Sequence, residues 1–293
     1  MELTRSSVPV AGVPTPVWSA GAPNGVPVIL VHGFRGDHHG LALIAENMLK
    51  LAAAKGLQIR VLVPDLPGFG QHGLLKRPHD LPGFGRWLRD FAEEVAPEGC
   101  FLVAHSFGTL VAAQALALGL KPRAVTLINP ISAPALKGPQ KLLTQAAISY
   151  YKLGAKLPEK PANFLLGNRA IVRVMSIAMA KTRDKELRRF IHDQHDRYFS
   201  VYASRKSLLE AFRASVENTV ADFAPHFQMP VQLIAGEIDD ITALSEQLRL
   251  KHLLRDARLH VIGGVGHLIH YEAPREAAEV TVEFLLRQSL GEK

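Results

Sequence analysis

The chain has 293 residues, 47% of them apolar and 21% charged, enough to bury a sizeable core, which excludes a disordered or fibrous protein. Its single cysteine, Cys100, excludes an intramolecular disulfide framework and a Cys-rich zinc site, so a reducing, cytoplasmic setting is expected. The net charge of +7 is unevenly placed: Ile131 to Ser215 carries 16 basic against 6 acidic residues, a net of +10, and the rest 18 against 21, a net of −3.

In chain order, two short Val-rich pieces within SSVPVAGVPTPVWSAG predict an antiparallel hairpin at a sheet edge. VPVILVHGF (Val26 to Phe34) then reads as a strand, HHGLALIAENMLKLAAAKG as a helix and QIRVLVPD (Gln58 to Asp65) as a strand. The helix FGRWLRDFAEEVA, the strand GCFLVAHS (Gly99 to Ser106), the helix FGTLVAAQALALG and the strand RAVTLINP (Arg123 to Pro130) follow. After a long gap come PVQLIAGEIDD (Pro230 to Asp240), a helix near Ala243 to Leu253, ARLHVIGGVGH (Ala257 to His267) and a final helix through PREAAEVTVEFLLRQ. Nearly continuous apolar strands separated by helices predict an α/β fold with a mostly parallel sheet of eight strands, covered on both faces. The gap shows helical patterns and no strand, so residues 131–213 are expected to be a helical insertion into a core made of 1–130 and 214–293. No secretory leader and no uncharged run of 18 residues is visible, so neither secretion nor an integral membrane association is expected.

The chemistry is concentrated at A-H-S-F-G, Ala104 to Gly108, where a strand passes directly into a helix. A sharp strand-to-helix turn needs small residues two positions either side of its centre, and Gly108 and Ala104 supply them. Ser106 would then stand clear of the sheet at the N-terminus of the helix, with the Phe107 N–H able to stabilise an oxyanion. The plainer alternative is that Ser106 only caps that helix.

This arrangement resembles the α/β-hydrolase family over essentially the whole chain. The resemblance implies an acid and then a histidine, each on a loop after a later strand. G-E-I-D-D offers Glu237, Asp239 and Asp240, and the family-like spacing selects Asp239; G-G-V-G-H offers His267, preferred over His270. It also places the second oxyanion donor in H-G-F, at the Phe34 N–H, with His32 a structural hydrogen-bonder and D-L-P-G-F-G (Asp65 to Gly70) a structural turn. Serine at the elbow argues against the dehalogenase and epoxide-hydrolase branches, which carry aspartate there.

The implied activity is hydrolysis of a carboxylic ester or thioester through an acyl-enzyme, with no metal or organic cofactor. Carbon–carbon bond hydrolysis of a carboxylated keto-diene is the alternative, set back because S-F-G-T replaces S-M-G-G and no Trp follows His267. A ligand-binding protein on a hydrolase fold is the alternative of another class. The insertion corresponds to the family's cap, and its Arg169 and Arg173, with Arg183, Arg188 and Arg189, could contact or attract an anionic small-molecule substrate. Nucleic acid is not expected, because no aromatic-and-basic motif accompanies the charge. Phe164, Leu165, Leu166, Met175, Ile177 and Met179 would suit an acyl or aromatic group. His192 and His195, in HDQHD, read as a solvent-facing pair on a charged helix rather than metal ligands.

Overall fold

The computed structural model describes residues 3–134 and 141–290. Eight strands form one sheet: β1 (Thr4–Val10), β2 (Val13–Gly21), β3 (Val26–Val31), β4 (Ile59–Pro64), β5 (Phe101–His105), β6 (Ala124–Ile128), β7 (Val231–Gly236) and β8 (Ala257–Ile262), in the spatial order β1-β2-β4-β3-β5-β6-β7-β8. β1 and β2 make the edge hairpin, its two-residue turn formed by Ala11 and Gly12 in the left-handed region, as a tight hairpin with right-twisted strands requires. β2 joins β4 antiparallel, and every other pairing is parallel.

The central strands are buried along nearly all of their length because both faces are covered. In β3, Val28 and Leu30 pack with helices α1 (His39–Ala54) and α11 (Pro274–Leu290), while Ile29 and Val31 pack with α2 (Leu81–Val95) and α3 (Phe107–Ala117) on the other face. Helix α3 is apolar all round and buried, as a helix wedged between the sheet and α2 must be. Asp80 caps α2 by accepting from the Gly83 N–H at 2.7 Å. At the far edge, α9 (Leu244–Leu253) lies between β7 and β8, and a short α10 (Ile269–Glu272), which the sequence pattern does not announce, precedes α11.

Among the described residues, five α-helices run between β6 and β7: α4 (Lys141–Lys156), α5 (Glu159–Leu166), α6 (Arg169–Met179), α7 (Lys185–Tyr198) and α8 (Arg205–Glu217). The 213/214 division expected from sequence falls inside α8, which continues to Glu217 and leads through a 3-10 helix (Val220–His226) into β7. These helices do not make a separate core. Tyr151, Leu166, Leu208 and Ala211 belong to the same apolar cluster as Phe84, Phe107 and Leu110. Polar ties add to this: the Ala203 N–H donates to the Gly68 carbonyl, and the Lys181 and Thr182 N–H groups both donate to Glu272 Oε1. No helix among the described residues is long and apolar enough to cross a membrane.

Candidate active site

Ser106 occupies the turn between β5 and α3 with φ 53° and ψ −121°, a conformation that costs a non-glycine residue about 1–3 kcal/mol. The surroundings enforce it. A Cβ on Gly108 would lie 2.4 Å from the Val31 carbonyl oxygen, so only glycine lets α3 approach β3 this closely. The Ser106 carbonyl accepts from both the Thr109 N–H (2.9 Å) and the Thr109 hydroxyl (2.6 Å), locking the turn from behind. Although Ser106 stands at the helix N-cap, its hydroxyl makes no capping bond, which leaves the simple capping role without support.

The hydroxyl instead meets His267: Oγ lies 2.8 Å from Nε2, and His267 Nδ1 lies 2.8 Å from Asp239 Oδ2. With the carboxylate on Nδ1, the tautomer that satisfies both contacts has Nδ1–H donating to Asp239 and Nε2 accepting from Ser106. Asp239 is 4% exposed, and its other oxygen accepts from the Ile241 (2.7 Å) and Thr242 (3.3 Å) N–H groups. Its neighbours are engaged elsewhere: Asp240 forms an ion pair with Lys181, and Glu237 accepts from the Gly264 N–H at 2.8 Å.

Two residues that sequence reasoning did not single out set this geometry. Asn129, at the end of β6 with φ 45°, donates from Nδ2 to the carbonyls of Gly266 (3.1 Å) and His267 (2.9 Å) and accepts from the Gly236 N–H (2.8 Å). It thereby ties the loop carrying the acid to the loop carrying the histidine. A polar side chain ending the apolar run TLIN is the signal that could have found it. His105 Nε2 sits 3.1 Å from the His267 carbonyl and so must donate to it. Burial and the nearby His267 push the His105 pKa down to about 3, keeping the ring neutral.

His32 behaves as the structural hydrogen-bonder expected: Nδ1 donates to the Gly33 carbonyl (2.8 Å) and Nε2 accepts from the Leu66 N–H (2.8 Å). Asp65 is likewise structural, accepting from His38 and from the Gln71 N–H, and a Cβ at Gly70 would fall 2.2 Å from its Oδ2. Phe34 and Phe107 both border the cavity beside Ser106, and Gly33 brings the first of these loops against the serine, where an added Cβ would lie 3.2 Å from Ser106 Cβ.

The cavity has a volume of about 470 Å³, with Ser106 and His267 on one side and residues of α4, α6, α7 and α8 on the other. Met175, Met179, Ala178, Ile171 and Phe212 give it a mainly apolar wall. Phe164 and Ile177 do not contribute, being 76% and 53% exposed, and Leu166 is buried in the core. Arg169 and Arg173 do not line the cavity either: Arg169 is exposed and Arg173 pairs with Asp196 on the neighbouring α7. Arg183, Arg188 and Arg189 are exposed. Among the described residues, the two Lys or Arg side chains that border the cavity are Arg35 and Lys181, the latter paired with Asp240.

The HDQHD histidines depart from expectation. Both are buried, with His192 Nδ1 2.6 Å and His195 Nδ1 2.7 Å from the Ser176 hydroxyl, so the shared face of α7 turns inward against α6. Burial beside His192 pushes the His195 pKa down to about 4. Among the described residues, Asp37, His38 and His39 bring ligand-type atoms within 4.8 Å of one another. These groups are already engaged: His38 Nδ1 is 2.9 Å from Asp65, His39 Nδ1 3.1 Å from Asp37, and their rings stack between Trp18 and Tyr198.

The fold is shared with solved structures of low identity. An esterase from Thermogutta terrifontis, solved with malate bound, superposes with a TM-score of 0.74 at 18% identity, covering 97% of this chain and 99% of that one. An esterase from Exiguobacterium antarcticum gives 0.74 at 14%, covering 97% and 100%. An epoxide hydrolase from Mycobacterium thermoresistibile gives 0.70 at 18%, covering 97% and 98%. No curated protein sequence matches the chain. The family model described as "Alpha/beta hydrolase family" matches residues 28–280, and the chain belongs to that family.

Proposed function

We propose that this protein is a serine hydrolase that cleaves a carboxylic ester or thioester of a small to medium acyl group through an acyl-enzyme. The observation that carries the reading is the unbroken relay from Asp239 through His267 to Ser106, closed by two 2.8 Å contacts and opening on a mainly apolar cavity. In this reading Ser106 Oγ attacks the acyl carbonyl while His267 Nε2 takes its proton, and Asp239 holds the imidazole in place and stabilises its cation. The Phe34 and Phe107 N–H groups receive the developing oxyanion, each worth about 3 kcal/mol of barrier in comparable sites. His267 then returns the proton to the leaving group, and water, activated by the same histidine, releases the acid.

Helices α4 to α8 would serve as the cap that shapes the acyl pocket, since α4, α6, α7 and α8 supply its outer wall. The apolar lining favours an uncharged acyl or aromatic group. Carbon–carbon hydrolysis of a carboxylated keto-diene gains no support from the described residues, where the Lys and Arg side chains bordering the cavity are engaged: Arg35 is bound to three acceptors and Lys181 to Asp240. The charge of the cap would act on an anionic substrate only through its field. A cytoplasmic setting fits the single buried Cys100. Pre-steady-state hydrolysis of a p-nitrophenyl ester tests the reading: a burst of about one nitrophenolate per chain, abolished in Ser106→Ala, is expected. Turnover that survives in Ser106→Ala would refute it.

A further inference from the structure

We infer that Arg35 is a positioning residue that makes the placement of the Phe34 amide depend on the seating of helices α4, α5 and α7; this rests on the oxyanion role proposed above for Phe34. Arg35 is 1% exposed and, among the described residues, has no carboxylate partner. Its guanidinium is satisfied instead by the inserted helices. Nε donates to the Phe199 carbonyl at 2.8 Å, Nη1 to the Tyr151 hydroxyl at 3.1 Å and Nη2 to the Leu166 carbonyl at 2.9 Å. Leu166 ends α5 and Phe199 caps α7, so two of the acceptors sit at the negative ends of helix dipoles. The rings of Phe199 and Tyr202 lie 5.5 and 5.8 Å from the guanidinium carbon. A buried cation held only by such groups is stable only while they are all in place, since removing any of them strands a desolvated charge.

The backbone carries this requirement to the reaction centre. The Gly36 N–H donates to the Gly33 carbonyl at 3.1 Å, making a tight turn with Phe34 and Arg35 at its centre. Arg35 has φ 61° there, at a position that ordinarily calls for glycine. An arginine in that conformation is held by its side-chain anchors, and the same turn carries Phe34 directly after Gly33, where an added Cβ would lie 3.2 Å from Ser106 Cβ. The Phe34 ring reinforces the link, packing edge-on against both Phe107 at the elbow and Tyr151 in α4.

A purely structural clasp and a positioning clasp differ in what they do to each folded, labelled molecule. Turnover of p-nitrophenyl acetate, whose acyl group is too short to need the helices for binding, should be compared in the full chain and in Arg35→Gln, Arg35→Lys and Tyr151→Phe. Each preparation is normalised to the fraction of Ser106 labelled by a fluorophosphonate at completion. The expected result is a fall in kcat per labelled site of about 10- to 100-fold in Arg35→Gln with KM changed by less than about threefold. Arg35→Lys should recover part of the loss, and Tyr151→Phe should lose about 3- to 10-fold. If kcat per labelled site stays within about twofold of the parent, or the loss lies in KM alone, the inference is overturned. Should Arg35→Gln fail to fold, Tyr151→Phe, which keeps the ring stacked on Phe212, decides on the same readout. Failure of the parent chain to label would instead remove the proposed function, which separates the two failures.

Discussion

Lowering the pH from 7.5 to 4.5 should destabilise this protein sharply, because burial holds His105 and His195 neutral. His105 faces His267, His270 and Asp239, and His195 faces His192, Asp196, Arg173 and Tyr271; burial is the largest cause of the lowered pKa in both, to about 3 and about 4. In the unfolded chain both return to about 6.5, so below that pH the unfolded state binds more protons and stability falls as pH falls. At 1.36 kcal/mol per proton per pH unit, each histidine withdraws about 2–3 kcal/mol over this range, or about 5 for the pair, against a total of about 5–15 for a typical domain. His32, His72, His79, His192 and His270 are shifted in the same direction and add to the loss. Asp65, whose pKa is held below the usual carboxylate range, contributes only at still lower pH. Urea titrations at one-unit pH steps, followed by Trp18 and Trp87 fluorescence, measure the slope; it should reach at least about 2.5 kcal/mol per unit between pH 5.5 and 4.5. His195→Gln should reduce that slope by about 1.4 kcal/mol per unit. Stability that stays flat to within about 1 kcal/mol, or a slope unchanged in the variant, would show that these histidines are not held neutral by the fold.

Asp239→Asn should lower kcat by about 10⁴-fold by leaving His267 in the wrong tautomer, while Asp240→Asn, which only frees Lys181, should cost less than about tenfold; activity assays on the two purified variants decide it. Asn129→Ala strips three bonds between the acid and histidine loops and should cost about 2–3 kcal/mol of stability in urea titrations, together with a loss of about 10- to 100-fold in kcat. For an anionic ester, kcat/KM should fall severalfold between about 0.1 and 1 M salt while a neutral ester changes little, and Arg169→Ala or Arg173→Ala should each change the ratio by less than about twofold; a large effect of either substitution would place that arginine at the substrate.

The sheet was legible because its strands are buried on both faces, so VILV, VLVP, FLVA and LIAG each appear as an unbroken apolar run. The elbow was legible because its demands are local: a strand, a helix and small residues at fixed offsets. The pairing of Asp239 and His267 came from a resemblance, and nothing within either loop would have revealed it. What escaped notice depends on partners remote in sequence. Arg35 reads as an ordinary loop cation until Leu166 and Phe199, more than 130 residues away, close around it. His192 and His195 share a helix face that carries charges on neighbouring positions, and only the packing of α7 on α6 shows which face turns inward. The charge of α4 to α8 was countable, but its direction was not: whether an arginine meets the cavity or solvent is set by helix rotation, which periodicity alone leaves open for short amphipathic helices.

Every catalytic role proposed above depends on Ser106 being the nucleophile. Treating the folded protein with a fluorophosphonate and mapping the adduct by peptide mass spectrometry tests it directly. A single stoichiometric adduct on Ser106, lost in Ser106→Ala and slowed in His267→Ala, is the expected result. Folded protein that does not react, or an adduct on another residue with Ser106 unmodified, would show that Ser106 is not the nucleophile.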